Sequence, residues 1–103
     1  MANINNVDHL SHYADSCSLE CIDVMKVVFG YEYTAVGCMF NVFKYMWRYK
    51  NKGKPKEDLD KAEWYRYMAW QCLQNTYNES LSDLYRRIDK LLIEVLKKNE
   101  DET

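Results

Sequence analysis

One short segment of the sequence concentrates side chains that could bind phosphate. Asn41, Lys44, Tyr45 and Arg48 follow the i, i+3, i+4, i+7 spacing that places residues on one helix face. Arg and Lys neutralise phosphate, Asn hydrogen-bonds a base edge or a sugar hydroxyl, and Tyr offers an aromatic face. The same pattern is also typical of a solvated helix face, so this interpretation needs support from other elements.

Two carboxylates upstream are candidate partners for these cations. Glu20 and Asp23 stand three residues apart in a segment that is apolar on nearly every side, and such helices are usually buried. Buried carboxylates need cations or hydrogen-bond donors, for which Lys44 and Arg48 are the obvious candidates. Two interpretations stay open: an internal salt-bridge network, or a site where the carboxylates orient the cations, bind a metal or accept a ribose hydroxyl.

A third group of candidates lies downstream. Asp58, Lys61 and Tyr65 recur at i, i+3 and i+7, with Trp64 at the edge of their face. The segment before them is a lysine-rich loop around Gly53, comprising Lys50, Lys52, Lys54 and Lys56. This loop could close over a phosphate, or it could simply be solvated.

Four possible zinc ligands crowd the beginning of the chain, with the spacing H-x2-H-x4-C-x3-C: His9, His12, Cys17 and Cys21. This spacing matches no standard closed zinc site, and Cys21 beside Ile22 is better explained as a small buried thiol. We therefore predict no metal site. Cys38 and Cys72 lie in apolar patterns and are expected to be buried and reduced.

The scarcity of glycine and proline, three and one residues respectively, favours long helices. Helical periodicity predicts helices at 19–29, ended by Gly30, and at 34–49. Pro55 and the acidic pair Glu57 and Asp58 suit the start of a third helix, which should run to about Thr76. A fourth helix is predicted at 79–98, with Ser80 and Asp83 as a capping box and an acidic tail at 99–103.

The predicted fold class is all-α: a compact bundle of about four helices forming one domain over residues 1–103. The second helix carries a broad apolar arc that should face the core, made of Val36, Met39, Phe40, Val42, Phe43, Met46 and Trp47. The polar stripe that contains Lys44, Tyr45 and Arg48 lies opposite this arc.

The C-terminal helix carries an apolar stripe with alternating spacings of three and four residues, formed by Leu81, Leu84, Ile88, Leu91 and Val95. The stripe either packs onto the other helices or pairs with the same helix of another subunit. Leu92, Ile93 and Leu96 widen the apolar surface, so one side could serve the core and the other a neighbour. We therefore expect a homo-oligomer.

Charge and hydropathy exclude several protein classes. The formal charge of −2 provides no basic field for non-specific binding to duplex DNA. No apolar run approaches the roughly 20 residues needed to span a bilayer, and the first residues, 1–6, lack the features of a signal peptide. We expect a protein of the cytosol that does not bind membranes.

Several of these residues follow one another in a characteristic order. His12-Tyr13 precede Glu20 and Asp23, then come Asn41-x2-Lys44-Tyr45-x2-Arg48, a Lys/Gly loop, and Asp58-x2-Lys61-x2-Trp64-Tyr65. This order resembles a domain-of-unknown-function family found in tailed phages, whose members are often labelled nucleotide kinase after a larger podophage protein containing the domain. The resemblance covers roughly Val7 to Trp70, and the C-terminal helix lies outside it.

The resemblance implies a phage protein that acts on nucleotides in the cytoplasm of the infected bacterial host. The candidate ligand-binding residues are His12, Tyr13, Glu20, Asp23, Asn41, Lys44, Tyr45, Arg48, Lys54, Asp58, Lys61, Trp64 and Tyr65. A P-loop kinase needs G-x4-G-K-[ST], which glycines at positions 30, 37 and 53 cannot form. Any kinase activity would therefore require a different phosphate-binding architecture.

Three classes of function follow, of which we favour the first. It is a binding protein that captures a nucleotide or a phosphate-bearing signal, to counter host defence or to alter nucleotide metabolism. The second is an enzyme with no assigned catalytic residue: a noncanonical nucleoside monophosphate kinase, or an all-helical nucleotide pyrophosphatase that uses magnesium. The carboxylates of such a pyrophosphatase would be Glu20, Asp23, Asp60 and Glu63, although Asp60 and Glu63 should face away from Asp58 and Lys61.

The third class is an inhibitor of a host protein. Its surface would use aromatic residues in excess of what the core must bury, namely Tyr31, Tyr33, Tyr67, Trp70 and Tyr77. The same residues could instead serve self-assembly.

Overall fold

The computed structural model describes residues 19–51, 53 and 55–102, and these residues form three α-helices and no strand. Helix α1 spans Leu19–Arg48, α2 spans Pro55–Leu73 and α3 spans Glu79–Glu102. The predicted all-α class is confirmed. The Cα atoms extend over 46 × 34 × 14 Å, so the molecule is flat.

Helix α1 contains one break, at Gly30, where φ is 83° and ψ is 169°. This region of backbone conformation is essentially restricted to glycine. The sequence predicts a helix end at Gly30, and the backbone does leave the helical conformation there. The helix resumes without a loop, however, so the described residues form three helices rather than about four.

The starts of α2 and α3 agree with the prediction, whereas the cap residue and the C-terminal end of α3 do not. Pro55 begins α2, with Glu57 and Asp58 in its first turn. At the start of α3, the side-chain oxygen of Asn78 accepts a hydrogen bond from the backbone N–H of Leu81 at 3.0 Å. Asn78, rather than Ser80, therefore caps the helix. Helix α3 continues to Glu102, so residues 99–102, of which the last three are acidic, extend the helix instead of forming a tail.

The buried core lies mainly between α1 and α2. Small residues of both helices are completely buried there, including Ala35 of α1 and Ala62 and Ala69 of α2, which allows the two backbones to approach each other. Cys38 and Cys72 are also buried in this core, as their apolar surroundings in the sequence predict. Helix α3 contributes one fully buried side chain, Leu92.

The face that α1 turns toward this core differs from the predicted one. Three residues of the predicted core arc are exposed instead, by 72, 47 and 74%: Phe40, Phe43 and Trp47. Tyr45, which the sequence places on the polar face, is only 5% exposed. The core face is centred on Val42, because apolar and aromatic side chains cover more than half of the helix circumference and α2 covers only part of it.

Helix α3 packs on this core through part of its apolar stripe. Leu81, Ile88 and Val95 are half-buried against the core, whereas Leu84 and Leu91 are 39 and 41% exposed. Polar contacts fix the helix in place. Arg66 of α2 forms an ion pair with Asp89 at 3.1 Å, and a Glu32 oxygen of α1 accepts hydrogen bonds from Thr76 and Asn78 at 3.0 and 3.2 Å.

Within the described ranges, no helix is both long enough and apolar enough to cross a membrane.

Candidate functional site

The last turns of α1 and the first half of α2 bring most of the predicted site residues together. The chain reverses direction between these helices through a turn in which the Asn51 N–H donates to the Arg48 carbonyl at 3.0 Å, and Gly53 has a φ of 68°. Lys44, Tyr45 and Arg48 of α1 thereby come close to Asp58, Lys61, Trp64 and Tyr65 of α2. We call these seven residues the cation-aromatic cluster.

Tyr45 lies at the centre of the cation-aromatic cluster. Three cationic groups surround its buried ring: the Lys44 amine lies 4.6 Å from the ring centroid, the Arg48 guanidinium 5.1 Å and the Lys61 amine 5.5 Å. Two of these cations follow from the helical spacing of α1, whereas the third comes from α2. Since all three lie so near one centroid, no two of these groups can be more than about 10 Å apart, the separation at which salt begins to screen charges from each other.

A buried carboxylate lies beside these cations. The Asp58 side chain is only 5% exposed, and its Oδ2 atom lies 3.8 Å from Nε of Arg48, which is 33% exposed. This distance is too long for a hydrogen bond. Neither of the two atoms has a hydrogen-bond partner in the part of the chain that the structure describes. The pair is therefore a charge interaction that leaves hydrogen-bonding capacity unused in a buried place.

The other two cations differ in their environment. Lys61 is about one-third exposed and forms an ion pair with Glu57 at 3.4 Å, one turn earlier in α2. Lys44 is exposed and has no carboxylate within ion-pair distance among the described residues. Among the described side chains, two carboxylates pair with these three cations, Glu57 and Asp58, which leaves a local excess of positive charge within this set.

Aromatic rings form the apolar part of the cluster. The Tyr45 and Tyr65 rings are stacked with centroids 5.8 Å apart and an interplanar angle of 15°. Trp64 meets Tyr65 edge to face at 5.1 Å and is half-buried, so part of its indole reaches the surface. The cluster thus presents cations at the surface above a buried aromatic base.

Other predicted site residues lie away from this cluster or use their polar groups elsewhere. Asn41 is half-buried, and its side-chain N–H donates to the Gly37 carbonyl on the same helix at 3.2 Å. Asp23 is 68% exposed and forms an ion pair with Lys26 at 3.6 Å. The predicted partnership of Asp23 with Lys44 or Arg48 is therefore wrong, because Asp23 pairs with Lys26 on its own helix and Arg48 pairs with Asp58.

Several predictions fall on positions about which the structure gives no side-chain information. His12, Tyr13 and Lys54 lie outside the described residues, as do His9 and Cys17 of the zinc motif. Glu20 belongs to α1, but its side chain is not described.

Of the four carboxylates considered for a magnesium site, the side chain of Glu20 is not described, and the other three do not form a metal-binding group. Asp60 and Glu63 are exposed, and Asp60 pairs with Lys56 at 3.1 Å. Among the described residues, no group of three or more His, Cys, Asp or Glu side chains could hold a metal ion.

Sequence reasoning missed two features of the cluster. Glu57 was not among the candidate site residues, although its i, i+4 spacing to Lys61 is a recognisable ion-pair signal. No sequence pattern predicts the burial of Tyr45. Its phenol suits either a buried or an exposed position, and periodicity alone does not separate the core face of α1 from the aromatic face beside it.

The family described as "Protein of unknown function (DUF3310)" matches residues 7–67, which is more than half of the chain. The matched range includes every residue of the cation-aromatic cluster and excludes α3. No curated protein and no solved structure matches the chain. The chain belongs to the DUF3310 family.

Proposed function

We propose that this member of the DUF3310 family binds a nucleotide, or another small molecule bearing phosphate, at the cation-aromatic cluster. The observation that supports this most strongly is the gathering of three cations around the buried ring of Tyr45. The clustering joins two helices, so it does not follow from the local pattern of either one.

The charge arrangement favours an anion as the ligand. Lys44, Arg48 and Lys61 repel one another at separations below about 10 Å, and a phosphate placed between them would replace this repulsion with attraction. An Arg guanidinium can bind two phosphate oxygens at once, while a Lys amine contributes a mobile point charge. Lys44 is the most available of the three, because it is exposed and has no carboxylate partner among the described residues.

The aromatic residues favour a nucleotide over inorganic phosphate. The partly exposed Trp64 meets Tyr65 edge to face and lies three residues after Lys61 on α2. It could stack against a base, an interaction that contributes roughly 1–3 kcal/mol per base in single-stranded nucleic acid complexes. Tyr45 is too buried for such a contact, so its role is to hold the cations in place through its ring face.

In biological terms, we propose capture rather than turnover. A phage protein of this kind, present in the cytoplasm of the infected host, would remove a nucleotide signal or change the supply of free nucleotides. This context rests on the phage resemblance of the sequence, whereas the binding proposal rests on the cluster.

The test is a titration of the purified protein with a graded set of ligands: adenosine, AMP, ADP, ATP, a cyclic nucleotide and pyrophosphate. Because selective binding to the native state raises its apparent stability, thermal-shift measurements can rank the set before calorimetry gives affinities. We expect phosphorylated ligands to bind more tightly than adenosine, and nucleotides more tightly than pyrophosphate. The same set is then repeated with nucleotides of the other bases. Absence of binding to every one of these ligands would contradict the proposal.

The same mixtures distinguish capture from catalysis. After incubation with Mg²⁺, with and without a second nucleotide as phosphate donor, mass spectrometry should recover the ligand unchanged. Formation of a nucleoside diphosphate, or release of pyrophosphate, would replace capture with a kinase-like or pyrophosphatase-like activity. Asp23→Asn should then show whether that carboxylate contributes to the activity.

A further inference from the structure

Helices α1 and α3 share an apolar surface that the described part of the chain leaves uncovered. Helix α1 contributes Phe40 and Trp47, which are 72 and 74% exposed, and Phe43, which stacks on Trp47 at 5.9 Å. Helix α3 contributes Leu84, which lines a pocket with Phe40 and Phe43, and the exposed Leu91, seven residues later on the same face of α3. We call these five residues the apolar surface.

The apolar surface includes a groove between the two helices. A cavity of about 210 Å³ lies there, lined only by apolar side chains: Val36, Met39, Phe40, Phe43, Leu84 and Ile88. Pockets that bind small molecules usually measure roughly 300–1,000 Å³ and contain a few polar groups. The groove is therefore better suited to side chains inserted by another protein surface.

The extent of the apolar surface approaches what a stable interface requires. With about 150–250 Å² per aromatic side chain, the exposed parts of Phe40, Phe43 and Trp47 amount to roughly 400 Å². Leu84 and Leu91 add to this area. Interfaces of standard size bury about 800 Å² on each partner, including a polar rim, so this surface can supply the apolar centre of one.

The described part of the chain leaves a wide apolar face of α1 open to solvent. Domains generally bury such a face against another element. Here Phe40 and Trp47 stay 72 and 74% exposed after α2 and α3 have packed on α1, so the face still needs a covering surface.

We propose that the apolar surface binds the same surface of a second copy of this chain, forming a two-fold symmetric dimer. In such a dimer each surface must complement itself. The groove and the protruding rings of Phe40 and Trp47 lie side by side on one surface, so the rings of each copy can enter the groove of the other. This proposal does not depend on nucleotide binding.

The test is analytical ultracentrifugation of the full chain from low to high micromolar concentration. We expect the mass to approach twice 12.4 kDa. Phe40→Glu and Trp47→Glu should each raise the dissociation constant at least about tenfold, because a charge at the centre of an apolar interface is strongly unfavourable. Tyr77→Glu is the matched control, since Tyr77 is 90% exposed and is not among the residues that line the groove.

Circular dichroism separates loss of association from loss of folding. Phe40 and Trp47 are exposed in the single chain, so the variants should keep their helicity. If either glutamate variant loses helicity, Trp47→Ser makes the same test with a milder change. A mass of 12.4 kDa at every concentration would overturn the proposal, and so would dimers that dissociate equally in the folded Phe40→Glu and Tyr77→Glu variants.

Discussion

At the scale of single residues, the Arg48 and Asp58 pair joins the end of α1 to the start of α2. The carboxylate is almost completely buried, while the guanidinium is one-third exposed and lies 3.8 Å away. Removing a charge from a buried pair leaves the other charge without compensation, which usually costs more than the pair itself contributes. Removing the charge of Arg48 should therefore destabilise the protein more than removing the charge of Asp58.

We predict that Arg48→Met lowers the free energy of unfolding by roughly 3 kcal/mol, the lower end of the range for breaking a buried pair. The double variant Arg48→Met with Asp58→Asn should recover a large part of this loss, because no buried charge then remains. Urea denaturation of the two single variants and the double variant measures the coupling. Additive effects would show that the two side chains do not interact in the folded protein.

A second prediction at this scale concerns Cys72, which is completely buried. Burial raises the pKa of the Cys72 thiol above its ordinary value of 9.0, and the nearby charge of Lys26 opposes this only in part. Above about pH 9 the thiol ionises in the unfolded chain while the folded chain keeps it protonated, so the unfolded state binds fewer protons. Stability should therefore be intact below that pH and fall as pH rises through this window.

The comparison that isolates the thiol is Cys72→Ala against the unaltered chain, with denaturation measured at several pH values between 8 and 10. The two proteins differ only at this side chain, so a difference in slope between them belongs to Cys72 and its interaction with Lys26. Burial, together with the charge of Asp89, also raises the pKa of Tyr85 above its ordinary 10.0, and this contribution should survive in the variant. Identical slopes in the two proteins would contradict the assignment to Cys72.

At the scale of the helices, the break at Gly30 divides α1 into two arms. Its φ of 83° and ψ of 169° lie where other residues are strained, although a Cβ atom there would meet no atom within 4 Å. The requirement for glycine is thus conformational rather than steric.

We predict that Gly30→Ala lowers the free energy of unfolding by about 1–3 kcal/mol, the usual cost of such a conformation. Gly37→Ala is the matched control, because Gly37 is helical and its added Cβ would lie 3.6 Å from Met25, an ordinary contact. That change should be neutral or slightly stabilising, since alanine favours helix by about 1 kcal/mol over glycine. If the two substitutions lower the free energy of unfolding equally, the backbone conformation at Gly30 does not specifically require glycine.

The helices themselves were largely predictable, because proline, acidic residues and apolar periodicity identify where α2 and α3 lie. The orientation of α1 was not. Its apolar and aromatic residues cover more than half of the circumference, and only the packing of α2 decides that Val42 and Tyr45 are buried while Phe40 and Trp47 are exposed. The cap of α3 was also ambiguous, since Asn78 and Ser80 both suit that position.

The candidate site shows the same division between local and tertiary information. The spacing of Lys44, Tyr45 and Arg48 predicts a shared stripe on α1, and that of Asp58, Lys61 and Tyr65 predicts another on α2. Their convergence depends on how the two helices pack, which no local pattern specifies. Asp23 illustrates the limit, because its ion-pair partner is the neighbouring Lys26 and not a cation of the cluster.

At the scale of the whole molecule, two surfaces of different chemistry lie next to each other along α1. The cation-aromatic cluster uses the Lys44, Tyr45 and Arg48 side of the helix, and the apolar surface uses the Phe40 and Trp47 side. Lys44 stands between them, four residues after Phe40 and three before Trp47. Ligand binding and dimer formation are therefore proposed for adjoining sides of one helix. Separate variants are needed to test each of them.

The most direct test of the proposed function is the affinity of Lys44→Ala for the tightest-binding ligand of the graded set, measured by calorimetry. Lys44 is exposed and lacks a carboxylate partner among the described residues, so its removal should not affect folding. Lys90→Ala, which removes an exposed lysine from α3, is the control. We predict at least about a tenfold loss of affinity for Lys44→Ala, roughly 1.4 kcal/mol, and little change for the control. Equal affinities of the two variants would contradict a phosphate site at the cation-aromatic cluster.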